Sequence, residues 1–226
     1  MNNMKNVILF LVEGITDKVA LEEVVDKTFG SETTAIEVTY GDITTKKGVN
    51  VQNVVDEVGN FITNFIKNGK YEKQDILKIV HIIDTDGAFI PRENIKKSND
   101  CHLKYGLEYI ECENEDYIKN RNAQKIALVK KLASRERIAM IRYELYYFSR
   151  NMEHVFHNVS EELDKNQKME LAEKFTDTYC DNIEGFFELI NSPNIAVSGE
   201  YKETWDFIYL GTNSLKRYSN VHLAFK

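Results

Sequence analysis

Val7-Ile8-Leu9-Phe10-Leu11-Val12-Glu13-Gly14-Ile15-Thr16-Asp17-Lys18 is the stretch that decides the fold. An apolar run this short and rich in β-branched residues reads as a strand buried on both faces, as in a parallel sheet. Ile79-Val80-His81-Ile82-Ile83 repeats the pattern and ends in Asp84-Thr85-Asp86-Gly87. Parallel strands share a carboxyl edge, where open α/β sheets place their sites. Glu13, Asp84 and Asp86 are thereby expected together. Like charges so gathered repel, a divalent cation relieves that repulsion, and hard oxygen donors suit Mg²⁺ or Mn²⁺.

Between and after these strands the periodicity predicts a helix from about Thr16 to Phe29, a strand over Ala35–Tyr40 followed by a Gly41-Asp42 loop, and an amphipathic helix from Val51 to about Lys67 closed by Asn68-Gly69-Lys70. The order βαβαβ implies an α/β fold: a mainly parallel sheet covered by helices. Leu107–Glu111 reads as another strand, and Asn114 or Glu115 opens a helix towards Ala133. Ile138–Phe148 reads as one long strand, and a helix starts near Ser149–Glu153. Beyond Val159 the rhythm is helical (161–180 and 183–190). The expected organisation is a domain over 1–159, with an insertion at about 88–137, and a helical C-terminal appendage over 160–226.

The composition, 42% hydrophobic and 29% charged over 226 residues, is that of a soluble globular chain. No apolar stretch is long enough to span a membrane, and the N-terminus lacks a secretory pattern. Cys101, Cys112 and Cys180 form no CxxC pair, which disfavours zinc and a disulfide framework and fits a reducing cytoplasm. The net charge of −7 hides an asymmetry: from Lys119 to Arg150 nine basic residues face only Glu136 and Glu144, a local charge of +7 against −14 elsewhere. Lys130, Lys131, Arg135, Arg137 and Arg150 are therefore candidates for gripping a phosphate backbone; a solvated helix face is the other reading. Asn213-Ser214-Leu215-Lys216-Arg217 offers a similar grip, with Lys216 as the candidate. His154 and His157 share a helical face but lack a third soft ligand, and His81 reads as a core residue. Trp205, Phe207 and Tyr209 alternate, which suggests an apolar docking face or simple core packing.

The strand-Glu-Gly-x-Thr-Asp and later strand-Asp-x-Asp pattern resembles a TOPRIM domain, the fold shared by primases, topoisomerases and OLD-family nucleases. The resemblance covers roughly Val7 to Val155 and implies that Glu13, Asp84 and Asp86 hold Mg²⁺. Asp17, four residues after Glu13, and the segment Ser149-Arg150-Asn151-Met152-Glu153-His154 resemble the OLD branch, where Glu153 would serve a second metal. That branch also uses a downstream lysine, for which Lys202 and Lys216 are candidates by sequence. No Walker motif occurs. The chain thus looks like a stand-alone TOPRIM effector of anti-phage systems, whose ATPase is a separate polypeptide.

The expected function is a metal-dependent nuclease cleaving DNA or RNA. Glu13, Asp84, Asp86 and Glu153 would be catalytic, Asp17 a further metal ligand, and self-association or an ATPase partner a restraint. Two alternatives stand beside it: a non-catalytic TOPRIM binding module, and a ribosomal-RNA-maturation ribonuclease. The second is disfavoured by Thr85, where such proteins usually carry proline. A primase is disfavoured by the lack of a zinc-ribbon cysteine set.

Overall fold

The computed structural model describes residues 6–30, 33–38, 42–69, 71–99 and 103–226. Thr39, Tyr40 and Gly41 of the expected second strand and its loop lie outside these residues, as do Lys70 and Cys101. The βαβαβ order is present: β1 (Val7–Val12), α1 (Ile15–Phe29), β2 (Thr34–Val38), α2 (Val54–Asn68) and β3 (Ile76–Asp84). The insertion follows, with β4 (Ile95–Lys97), β5 (Leu103–Tyr105), β6 (Ile110–Cys112) and α3 (Glu115–Ala133). Then come β7 (Arg137–Ile138), β8 (Ile141–Phe148), α4 (Met152–His157), α5 (Lys165–Tyr179), α6 (Ile183–Ile190) and α7 (Tyr201–Ile208). The main sheet has the order β2-β1-β3-β8-β7, and a small separate sheet has the order β4-β6-β5. All pairings in the main sheet are parallel except that of β7 with β8.

Side-chain alternation along the strands builds a core on each face of the sheet. Leu9, Leu11, Ile79, Ile83, Leu145 and Tyr147 point to one face, where Val58 and Ile62 of α2, Leu128 and Leu132 of α3, and Trp205 of α7 cover them. Phe10, Val12, Val80, Ile82 and Phe148 point to the other, under Leu21 of α1, Phe175 of α5, Phe186 of α6 and Phe225. Each such side chain, taken fully out of water, contributes roughly 1.5–3 kcal/mol. With both faces covered, only the strand ends are left for chemistry.

Several sequence expectations change. The single strand over Ile138–Phe148 is a hairpin, because Ala139 and Met140 turn the chain at φ 52° and 68°. The amphipathic helix begins at Val54 rather than Val51. The helix expected from Glu161 begins at Lys165, where Asp164 accepts from the N–H groups of Asn166 and Gln167. The C-terminal region is helical as expected, but it is folded into both cores rather than appended to them. Of Trp205, Phe207 and Tyr209, Trp205 is a core residue and the other two are half-buried; they meet Tyr147, Tyr218 and Phe89 edge to face, at centroid distances of 4.8, 4.9 and 4.7 Å.

Past the short β7, the outer edge of β8 is closed by side chains. Tyr201 Oη accepts from Leu145 N at 3.1 Å and donates to Leu145 O at 2.8 Å. Asn220 Oδ1 accepts from Tyr147 N at 2.9 Å, and Ser219 Oγ donates to Tyr147 O at 2.8 Å.

Candidate metal centre

The carboxyl ends of β1 and β3 lie side by side, as the parallel register of Leu11 with His81 requires. Glu13 leaves β1 there, and Asp17 sits in the first turn of α1, where its Oδ2 accepts from Gly14 N at 2.9 Å. A carboxylate in that position is also favoured by the helix dipole. Asp84 ends β3, opposite Phe148 at the end of β8.

The loop beyond Asp84 is zipped onto the segment after β8. Thr85 N donates to Phe148 O at 2.9 Å, Asp86 N to Arg150 O at 3.0 Å, and Gly87 N to Ser149 O at 3.2 Å. Thr85 itself is buried and its hydroxyl donates to Ser149 O, so the two aspartates flank an inward-facing residue. Asp86 and Gly87 are both left-handed, at φ 50° and 62°, and a Cβ at residue 87 would stand 2.5 Å from Leu215 Cδ2. The same zipper brings in Glu153, buried in α4, whose start Asn151 caps by accepting from His154 N at 2.8 Å.

The five expected ligands, Glu13, Asp17, Asp84, Asp86 and Glu153, thus come to one end of the sheet, and the electrostatics bind them into one cluster. Burial first, and then the charges of Asp42, Asp84 and Asp86, raise the Glu13 carboxyl well above its ordinary range against the opposing pull of Lys125. Burial together with Asp17, Asp86 and Glu153 does the same to Asp84. Burial and Glu153 push Asp17 up to about 6, although the Gly14 N–H works the other way. Glu13 Oε1 is enclosed and accepts no hydrogen bond.

Three members of the cluster are not among the ligands expected from the sequence. Asp42 follows β2, and Lys125 comes from α3 with its side chain fully buried; its Nζ lies 2.6 Å from both Asp42 Oδ2 and Asp86 Oδ2. Burial alone would lower the Lys125 ammonium, but Asp86, Glu13 and Asp42 outweigh it and hold the lysine charged. Burial would likewise raise Asp42, yet Lys125 and the Thr44 hydrogen bonds keep it low. Lys168, on α5, stands 3.5 Å from Glu153 Oε1 with its side chain 37% exposed. It is charged more firmly than usual, because Glu153, Asp84 and Asp17 outweigh its burial. Lys168 is thus a lysine in contact with the Glu153 carboxylate, a contact made by neither Lys202 nor Lys216 among the described residues. Lys202 lies on α7, and the Lys216 carbonyl accepts from Ser149 Oγ.

A signal for Lys125 was present in the sequence. Ile118, Asn122, Lys125, Val129 and Leu132 recur at three and four residues and form the buried stripe of α3.

The basic residues divide. Arg150 is at the site, its guanidinium 4.4 Å from the Tyr105 ring centroid and one NH2 donating to Ser160 O at 2.8 Å. Lys130, Arg135 and Arg137 line a groove of about 980 Å³ near the amino end of β8, together with Arg142, Lys202 and Tyr209. The groove runs along β8 from Arg142 to Tyr146, and Lys130 in its wall lies five residues along α3 from Lys125, about 7.5 Å of helical rise. Lys131 is half-buried beside it. His81 is buried on Tyr143 Oη at 2.7 Å, and burial lowers it to about 4. Burial, aided by Arg150 and Arg217, lowers His154 to about 3.

Comparison with protein-family models, with curated proteins and with solved structures finds no match for this chain.

As the side chains stand, no group of three or more Asp, Glu, His or Cys among the described residues is arranged as a finished metal cage. The donor set nevertheless fits a hard divalent cation. It is all oxygen, it is buried enough to resist ionisation, and one of its oxygens, Glu13 Oε1, is enclosed with no partner.

Proposed function

We propose that this chain is a divalent-metal-dependent nuclease of the TOPRIM type, cleaving phosphodiester bonds of DNA or RNA in the cytoplasm as a phage-defence effector, with a separate ATPase polypeptide as its partner. The observation that carries the reading is the meeting of Glu13, Asp17, Asp84, Asp86 and Glu153 at one sheet end around an unpartnered carboxylate oxygen. Further support comes from the strand order β2-β1-β3-β8, which sets the Glu13 and Asp84 strands next to each other and next to the strand leading to Glu153. None of the helices among the described residues is long and apolar enough to cross a membrane.

These residues would hold Mg²⁺ or Mn²⁺, which when bound supplies Lewis acidity for activating water and stabilising the departing oxygen. The chain's own groups do the rest. Glu13 and Asp84, both of raised proton affinity, would be the residues to release protons on holding such a cation. Lys168, charged and partly exposed beside Glu153, offsets negative charge building on the phosphoryl oxygens. Arg150, fixed on Tyr105, orients the backbone without reading sequence. Lys130, Arg135 and Arg137, some distance off, suit a long polyanion that runs past the sheet edge.

The test is cleavage of a panel of DNA, ribosomal RNA and transfer RNA by the purified chain, alone and with its ATPase, with Mg²⁺, with Mn²⁺ and with EDTA. Metal-dependent cleavage lost in Asp84→Asn and Glu13→Gln is expected. Cleavage unaffected by EDTA, or full activity in either variant, defeats the reading.

A further inference from the structure

The cluster holds six carboxylates, counting Asp42, and two lysines, and the lysines are not equivalent. Lys125 is sealed: its side chain is fully buried, and it makes two charge-assisted contacts of 2.6 Å, to Asp42 Oδ2 and Asp86 Oδ2. Asp42 has no oxygen to spare, because its Oδ1 accepts from Thr44 N at 2.7 Å and from the Thr44 hydroxyl. The Asp86 loop is tied down from the insertion as well, Arg121 NH2 donating to Asp86 O at 3.3 Å. On either side of Lys125 along α3, Asn122 and Leu128 are buried too. Lys168 differs in each respect. It is partly exposed, it stands 3.5 Å from one carboxylate, and it can swing away. Among the oxygens that Lys125 does not touch are Glu13 Oε1, which has no partner, and those of Asp84, at the end of the neighbouring strand β3.

We infer that Lys125 is a tethered substitute for one of the two metal ions such a carboxylate set would otherwise need. It fills the Asp42–Asp86 position permanently, and the chain takes a single divalent cation at Glu13–Asp84, with Asp17 and Glu153 beside it. The inference rests on the metal-dependent reading above and narrows it. The helix carrying Lys125 belongs to the insertion, so the insertion is part of the catalytic centre rather than an ornament on it. Lys125 is a positioning residue: it sets where Asp86 sits and how much positive charge the centre starts with.

Mn²⁺ binding to the full chain decides this, by calorimetry and by the paramagnetic resonance of free Mn²⁺. The wild type is expected to bind one ion, and Lys125→Met two. Asp84→Asn should lose at least about tenfold in affinity, the scale on which a removed metal partner is felt, while Asp42→Asn changes it by less than about threefold. Two ions on the wild type, or one on a folded Lys125→Met, overturns the inference while leaving the metal-dependent reading intact. No ion on the wild type overturns that reading, and the inference with it. Should Lys125→Met not fold, the wild-type stoichiometry and the contrast between Asp42→Asn and Asp84→Asn still decide.

Discussion

Asp17→Asn should make the metal-free protein more stable at neutral and alkaline pH, and the gain can be sized. Burial and the neighbouring Glu153 move this carboxyl from an ordinary value near 3.8 to about 6. At about 1.4 kcal/mol per pH unit, that displacement corresponds to a ceiling of about 3 kcal/mol. Allowing for the solvent-facing part of the side chain leaves about 2 kcal/mol. The folded state holds this proton more tightly than the unfolded chain does. The destabilisation is therefore full above about pH 7, shrinks as pH falls through 6, and is gone below about pH 4. Asparagine keeps an oxygen for the Gly14 N–H, so the turn into α1 survives the change. Urea unfolding in EDTA at pH 8 should show the variant about 2 kcal/mol more stable, or a Tm about 4–8 °C higher for a chain of this size. At pH 4 the two proteins should coincide. Glu13 and Asp84, raised in the same sense, should make the wild type itself gain stability as pH falls from the alkaline side. A variant no more stable than wild type at pH 8, or one whose advantage is the same at pH 4, would refute the reasoning.

Gly87→Ala should destabilise by about 2 kcal/mol, since residue 87 is left-handed and its Cβ would meet Leu215; denaturant unfolding measures this, and Mn²⁺ affinity should fall with it because the Asp86 loop shifts. Trp205→Ala should cost about 3–5 kcal/mol as a core truncation, with a melting curve as the check; an unchanged Tm would restore Trp205 as a surface residue. Lys130→Glu with Arg135→Glu should weaken nucleic-acid binding and flatten its dependence on salt while metal-free stability stays within about 0.5 kcal/mol. An unchanged salt slope would mark the groove as a solvated face.

The main sheet was legible because its strands are buried on both faces, and β1 and β3 therefore read as unbroken apolar runs. The start of α3 was legible because Asn114 caps it through Tyr117 N. The β7–β8 hairpin was hidden because Ala139 and Met140 adopt conformations that Gly or Asn usually announce. Strands of three residues, as in β4, β5 and β6, are too short to show a period. The acidic half of the centre could be read because each carboxylate closes a recognisable local pattern. Its cations could not be found that way, since Lys125 meets Asp42 across 83 residues and Asp86 across 39. Asp42 was visible only as a loop residue, although its place just past β2 put it on the same carboxyl edge. Lys125 could have been noticed as a charged residue on an apolar stripe, and such a residue needs a buried partner.

At Leu145 and Tyr147 the outer edge of β8 is finished by single side chains, from Tyr201, Ser219 and Asn220, rather than by another strand. These groups lie 56, 72 and 73 residues beyond the backbone they satisfy. During synthesis β8 is therefore made well before its edge can be closed, and for that interval it offers Leu145 and Tyr147 as an open template for another chain. Any loosening of the segment around Ser219 and Asn220 reopens that template in the mature protein. Because Ser149 at the head of the Glu153 segment is held by Tyr218 and Lys216 of this same stretch, loss of edge protection and loss of the carboxylate geometry would occur as one event.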